Sequence, residues 1–250
     1  MRTKTLALAG LTAVLLTACS GGDGDAAAGS SASASSSASS SSGSSGSAGA
    51  NGEAGKTGTQ VADDAATAVE KAGSLHATGT ASDAGTQQQV DLQLQGDDVA
   101  GSITTGGVRL DLIGTGGQLY AKAPAAFWTA SGAPEAAAAQ LDGVWVTVPS
   151  GAADQLGEFS LKGLVAELRA PTGTTIADEV GTDTIAGQDV VVVEQSDGST
   201  VAVAATGTPY PLREVETGDS AGTVMYSGFG EKQPIAAPPS PVDLSQVAGG

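Results

Sequence analysis

The stretch Val90–Ala123 reads VDLQLQGDDVAGSITTGGVRLDLIGTGGQLYAKA. Val90, Leu92 and Leu94 alternate with Asp91, Gln93 and Gln95, and Val108, Leu110 and Leu112 alternate with Arg109 and Asp111. A period of two puts each set on one side of a pleated strand. Gly96-Asp97, Gly106-Gly107 and Gly114 to Gly117 separate the runs. Such links are too short for a crossover, so neighbouring strands must be antiparallel. One polar face per strand predicts that one side of the sheet meets water and the other a core or a ligand.

Toward the N-terminus, Leu75, Ala77 and Gly79 alternate with His76, Thr78 and Thr80, which makes five strands in a meander with Val99 to Thr105 and Leu119 to Ala121. Before them, Val61, Ala65, Val69 and Ala72 recur at helical spacing, predicting a helix over Val61 to Lys71 stopped by Gly73. Toward the C-terminus, Pro124 to Gln140 interrupts the strands with helix-favouring alanines, and Gly143 to Val148 is a short strand. Phe159 to Arg169 is the best amphipathic helix, with Leu161, Leu164, Val165 and Leu168 on one side and Pro171 beyond its end.

Strands are expected again at Thr174–Ile185, Gln188–Gln195, Thr200–Ala205, Leu212–Thr217 and Thr223–Phe229. The unbroken Val190 to Val193 predicts a strand covered on both faces. Pro234 to Pro241 is too rich in proline to pair centrally, and Val242 to Val247 reads as a last docking turn. Strands, a helical interruption and more strands define α+β: a large antiparallel sheet with helices gathered on one face.

The N-terminus has a different character. Arg2 and Lys4 precede an apolar run from Leu6 to Leu16, far too short to span a bilayer, and the run closes on Leu16-Thr17-Ala18-Cys19. That string resembles the lipobox of bacterial lipoproteins, and Cys19 is the single cysteine of the 250 residues. The resemblance implies cleavage before Cys19, a diacylglycerol thioether on its sulfur, and residence on the extracytoplasmic face of the cell membrane. The alternative is an ordinary secretory leader with a chance cysteine at its boundary.

Losing Arg2 and Lys4 with the leader takes the net charge from −17 to −19. Such a surface repels nucleic acid and anionic headgroups alike, so attachment to the membrane must come from lipid. Two acyl chains anchor stably where one does not. Residues 20 to about 60 are almost all Ser, Gly and Ala and are expected to be a disordered tether. A coil of this kind spans roughly 35 Å on average and on the order of 140 Å when stretched. The expected organisation is a leader over 1–18, lipidated Cys19 and tether over 19–60, and one domain over 61–250.

The strings AVEKAGSLHATGTA, VDLQLQGDDVAGSITTGGVRLDLIGTGGQLYAKAPAAFW and YPLREVE followed by GTVMYSGFGEKQPIAAPP, behind a lipobox and a Ser/Gly stalk, resemble the LppX/LprG-type actinobacterial lipoprotein family over roughly residues 61 to 245. The resemblance implies a curved half-barrel sheet like that of bacterial lipoprotein carriers, with helices on its concave face. It also implies an apolar cavity for acyl chains of envelope lipids or lipoglycans, and binding or transfer in place of catalysis. No cofactor is implied.

On this reading Val90, Leu92, Leu94, Val108, Leu110 and Leu112 line the inner face, Leu161, Leu164, Val165 and Leu168 roof it, and Phe127-Trp128 sits at the mouth. The same residues also suffice as plain core. Small inner residues, Ala77, Gly79, Ala121 and Ala202, either leave room for a chain or let helices close in. The rival function is a structural or sensory lipoprotein with a filled core that acts through protein partners. His76, the single histidine, is expected on the polar face. Asp97-Asp98 and Asp178-Glu179 read as solvated acids without a calcium loop, and no residue is assigned to a metal or to catalysis.

Overall fold

The computed structural model describes residues 49–83, 86–149 and 160–244. The leader, Cys19, most of the tether, Phe159 and residues 245–247 lie outside the described residues.

The folded part begins earlier than expected. Ala50 bridges Thr206, and the Asn51 side chain donates to the carbonyls of Ala204 and Gly207 at 2.8 and 3.2 Å. Lys56 Nζ then ties Glu53, at 2.8 Å, to Asp64, at 2.6 Å. The expected boundary at residue 61 therefore moves back to about residue 50, because side-chain bonds to the sheet, which composition does not reveal, hold these residues.

Helix α1 spans Gly58–Ala72. Its first turn is closed by a capping box in which Thr57 Oγ1 accepts from the Gln60 N–H and the Gln60 side chain accepts from the Thr57 N–H. Gly73 ends it in the left-handed conformation, with its N–H on the Val69 carbonyl. Removing the cap by Thr57→Ala is expected to cost about 1 kcal/mol. In a thermal melt that is a fall of roughly 2–4 °C for a domain of this size; an unchanged midpoint would mean that tertiary packing alone holds the helix end.

Twelve strands make one open sheet in the order β12-β6-β5-β4-β3-β2-β1-β11-β10-β9-β8-β7. The first half is β1 (Ser74–Asp83), β2 (Thr86–Gln95), β3 (Asp98–Thr105), β4 (Val108–Thr115), β5 (Gln118–Lys122) and β6 (Trp145–Thr147). The second is β7 (Ile176–Ile185), β8 (Gln188–Gln195), β9 (Thr200–Ala204), β10 (Pro211–Glu216) and β11 (Gly222–Ser227). Two antiparallel meanders are thus joined through β1 and β11. The expected docking turn is β12 (Val242–Asp243), a short strand parallel to β6.

The helical interruption resolves into α2 (Ala125–Ala130) and α3 (Glu135–Gln140), and the amphipathic segment into α4 (Leu161–Arg169), capped by Ser160. All four helices pack on one side. Register places Leu92 beside Ala77 and Gly101, then Leu112, Ala121 and Val146 in line. Leu92 and Ala77 meet the α1 and α4 side chains in one core, and Leu112, Ala121 and Val146 meet Trp128 and Ala138 of α2 and α3 in another.

The opposite face is mostly polar, with Ile113, Tyr120, Trp145 and Met225 among its polar residues, and is covered over β8–β10. There Val190 is buried on the outer side, as the unbroken valine run predicts, and so is Ala202, which corrects its expected inner place: it pairs with outward-facing Val192 and Arg213. Arg213, also on that face, reaches Asp183 at 3.2 Å although β9 and β8 lie between their strands. Its aliphatic stem therefore crosses the small side chains and covers them.

Candidate functional site: the helix-covered face

The twelve residues expected to line a hollow all lie on this face or on the helices against it, eleven of them in or beside two cores. Leu92, Leu94, Leu161, Val165 and Leu168 are buried in the first, with Val90 and Leu164 half-buried at its margin. Leu112 and Trp128 are buried in the second, with Leu110 and Phe127 at its margin. Val108, half-buried, begins β4.

Trp128 corrects one expectation. It is only 6% exposed, and its indole N–H donates to the carbonyls of Ala123 and Leu141, each at 3.2 Å. A buried indole N–H must find such partners, so Trp128 is packing core and does not stand at a mouth. Phe127, edge-on to it at 5.1 Å between ring centres, is the half-buried member of the pair.

Beneath α4 the gap to the sheet measures about 10 Å³ and is bordered by Leu164, Leu168, Val193, Val201, Glu167 and Glu214. That is about the room a single water needs, far short of an acyl chain. Of the two outcomes the small residues allowed, closer packing holds here: Ala62, Ala65 and Ala66 seat α1 against the sheet and leave α4 no empty hollow to roof. Apolar surface that neither core fully buries remains at Val224, Val90 and Leu110, which share one cross-strand row with Gly79 and Ile103.

The same row contains a residue that strand periodicity misses. Read across the sheet it runs Val193, Val201, Glu214, Val224, so Glu214 faces inward among valines. Plain alternation from Pro211 puts position 214 outside. A bulge between Pro211 and Arg213 inserts Leu212 as an extra residue and reverses the sides that follow. Arg213 thereby turns outward and Glu214 inward.

The hydroxyl of Tyr226, itself buried, donates a short hydrogen bond to Glu214 Oε2. Lost hydration pushes the Glu214 carboxyl above its ordinary range, against the opposing pull of the Tyr226 bond. Glu216 is pushed up to about 7, first by lost hydration and then by the charges of Glu214, Glu167 and Asp197. Glu216 is exposed at its end of the strand, so solvent screens it and the weight rests on Glu214.

A raised Glu214 pKa means that the folded chain holds more protons than the unfolded chain in a window that opens at the ordinary glutamate value of 4.5 and closes at the raised one. Stability is then greatest below that window and falls as pH rises through it. Melting is expected at a higher temperature near pH 5 than near pH 7.5, and Glu214→Gln is expected to flatten that slope. A slope of the opposite sign in the unmodified chain, or one that Glu214→Gln leaves intact, contradicts the assignment.

Other sequence candidates settle elsewhere. His76 lies on the outer face with Nε2 2.7 Å from Asp91 Oδ1, as its place on the polar side predicts. Asp97-Asp98 stand at the β2–β3 turn, and Asp178-Glu179 lie in the irregular stretch of β7. One Gly-x-Ser-x-Gly string is present, Gly218-Asp219-Ser220-Ala221-Gly222. It forms a 3-10 turn between antiparallel β10 and β11, lacking the strand-to-helix setting of a nucleophile elbow. His76 pairs with Ser227, at the far end of β11 from that turn.

The open α+β sheet with helices on one face is similar to two solved structures. One is LprF from Mycobacterium bovis, at 16% identity and TM-score 0.49 over 73% of this chain and 99% of that chain. The other is the Mycobacterium tuberculosis lipoprotein LppX, at 13% identity and TM-score 0.47 over 72% of this chain and 98% of that chain. No protein-family model matches the chain, and no curated protein matches it.

Proposed function

We propose that this chain is an exported lipoprotein, anchored through acylated Cys19, that shelters the acyl part of an amphiphilic envelope lipid or lipoglycan against the helix-covered face of its sheet. The observation that carries the reading is the row through Val224, Val90 and Leu110, aliphatic surface left half-buried beside two otherwise filled cores. Phe127 and Leu164 add apolar area at the margins of those cores. The action is binding. Each sheltered methylene contributes about 0.8 kcal/mol, so ten carbons supply about 8 kcal/mol before ordering costs. The tether over 19 to about 49 lets the domain work away from the membrane plane and carry a lipid from it.

A gap of about 10 Å³ beneath α4 favours a second reading, a filled domain that acts through protein partners. Native mass spectrometry of the mature chain from its own host separates the two. A discrete lipid adduct that delipidation removes, and that a fluorescent fatty acyl probe replaces, is the expected result. A bare polypeptide mass together with no probe uptake would leave the second reading standing.

A further inference from the structure

We propose that Glu214 is a proton-operated latch for α4: as the neutral acid it lets the helix seat on the sheet, and as the carboxylate it loosens that seat. The bulge in β10 aims this side chain into the helix–sheet interface, between Val201 and Val224. A neutral carboxyl is tolerated in such a place when hydrogen-bonded, whereas a carboxylate there loses hydration that a single bond does not restore.

The groups around Glu214 give a charge no compensation. From β11, Tyr226 supplies the one bond, as donor. From α4, Glu167 borders the same gap, with its carboxylate held by the Thr172 N–H at 2.8 Å and the Thr172 hydroxyl at 3.2 Å. Glu216 follows on the same strand, and Asp197 at the β8–β9 turn adds its charge near Glu216. The nearby cations are engaged elsewhere: Arg169 with Asp63 and Glu70 on α1, and Arg213 with Asp183 on the outer face. Ionised Glu214 therefore faces like charge on the helix across a gap whose other walls are aliphatic apart from the neutral amide of Gln195. Repulsion and the demand for water both act to lift α4.

The latch concerns the protein alone; its use as a gate to the apolar face rests on the proposed lipid binding. The test is hydrogen exchange on the full chain at about pH 5 and about pH 8, corrected for intrinsic exchange, with protection of α4 expressed relative to α1. Protection of α4 is expected to fall about tenfold at the higher pH, about 1.4 kcal/mol. Glu214→Gln is expected to hold it constant. Glu167→Gln, which removes the facing charge and leaves the Glu214–Tyr226 pair in place, is expected to reduce the response and serves if the first variant fails to fold. An equal ratio at both pH values, or a response that both variants retain, overturns the latch. Acyl-probe uptake read in parallel separates the claims. PH-dependent exchange without uptake keeps the latch and removes the lipid, while uptake with pH-independent exchange does the reverse.

Discussion

Gly101→Val is expected to prevent the sheet from forming, with a loss of at least about 4 kcal/mol, a size seen only when a substitution meets a specific obstruction. Gly101 lies mid-sheet on the inner face, paired with Leu92 on one side and Leu112 on the other. Its φ is +150°, which side chains rarely adopt. A Cβ there would collide with the Asp91 carbonyl oxygen and stand 2.9 Å from the Leu92 Cα. Both obstacles are backbone, so no rotamer relieves them, and a branched side chain adds to the strain. Gly55→Ala is the matched control, because a Cβ at Gly55 meets nothing within 4 Å. Soluble yield and thermal melting of the two variants decide the matter: a valine variant melting within a few degrees of the unmodified chain would show that β3 can shift to make room.

Cys19→Ser is expected to abolish labelling of the chain by metabolically supplied fatty acid. The thiol is the acceptor in the proposed anchor, and the chain has no other cysteine. Two acyl chains hold a protein on a bilayer where one is marginal, and a net charge of −17 before processing gives no electrostatic substitute on an anionic surface. Among the described residues no helix is long and apolar enough to cross a membrane. The readout is label incorporation together with the mass of the mature N-terminus. Undiminished labelling of the serine variant would place acylation elsewhere and remove the basis for the anchor.

Much of the architecture was legible because burial on one face imposes a period. Val90/Leu92/Leu94 and Val108/Leu110/Leu112 marked β2 and β4, and Leu161, Val165 and Leu168 marked the buried side of α4. His76 took the polar side for the same reason. The folded segment ahead of α1 was not legible, since Asn51 holds it by hydrogen bonds to Ala204 and Gly207, distant in the chain. Trp128 looked suited to a rim because an indole fits either place; its two carbonyl partners, at Ala123 and Leu141, decide for the core.

The chain by itself determined the strands of the first meander and the side each presents, the Gly73 stop of α1 and the antiparallel order within each meander, since all of these follow from local spacing and turn residues. Tertiary structure alone decided how far the helices sink onto the sheet and which way Glu214 points. Helix depth depends on how small residues from separate elements fit together, and the sense of β10 depends on one extra residue at Leu212. A one-residue slip exchanges the two faces of a strand, and no local pattern announces it.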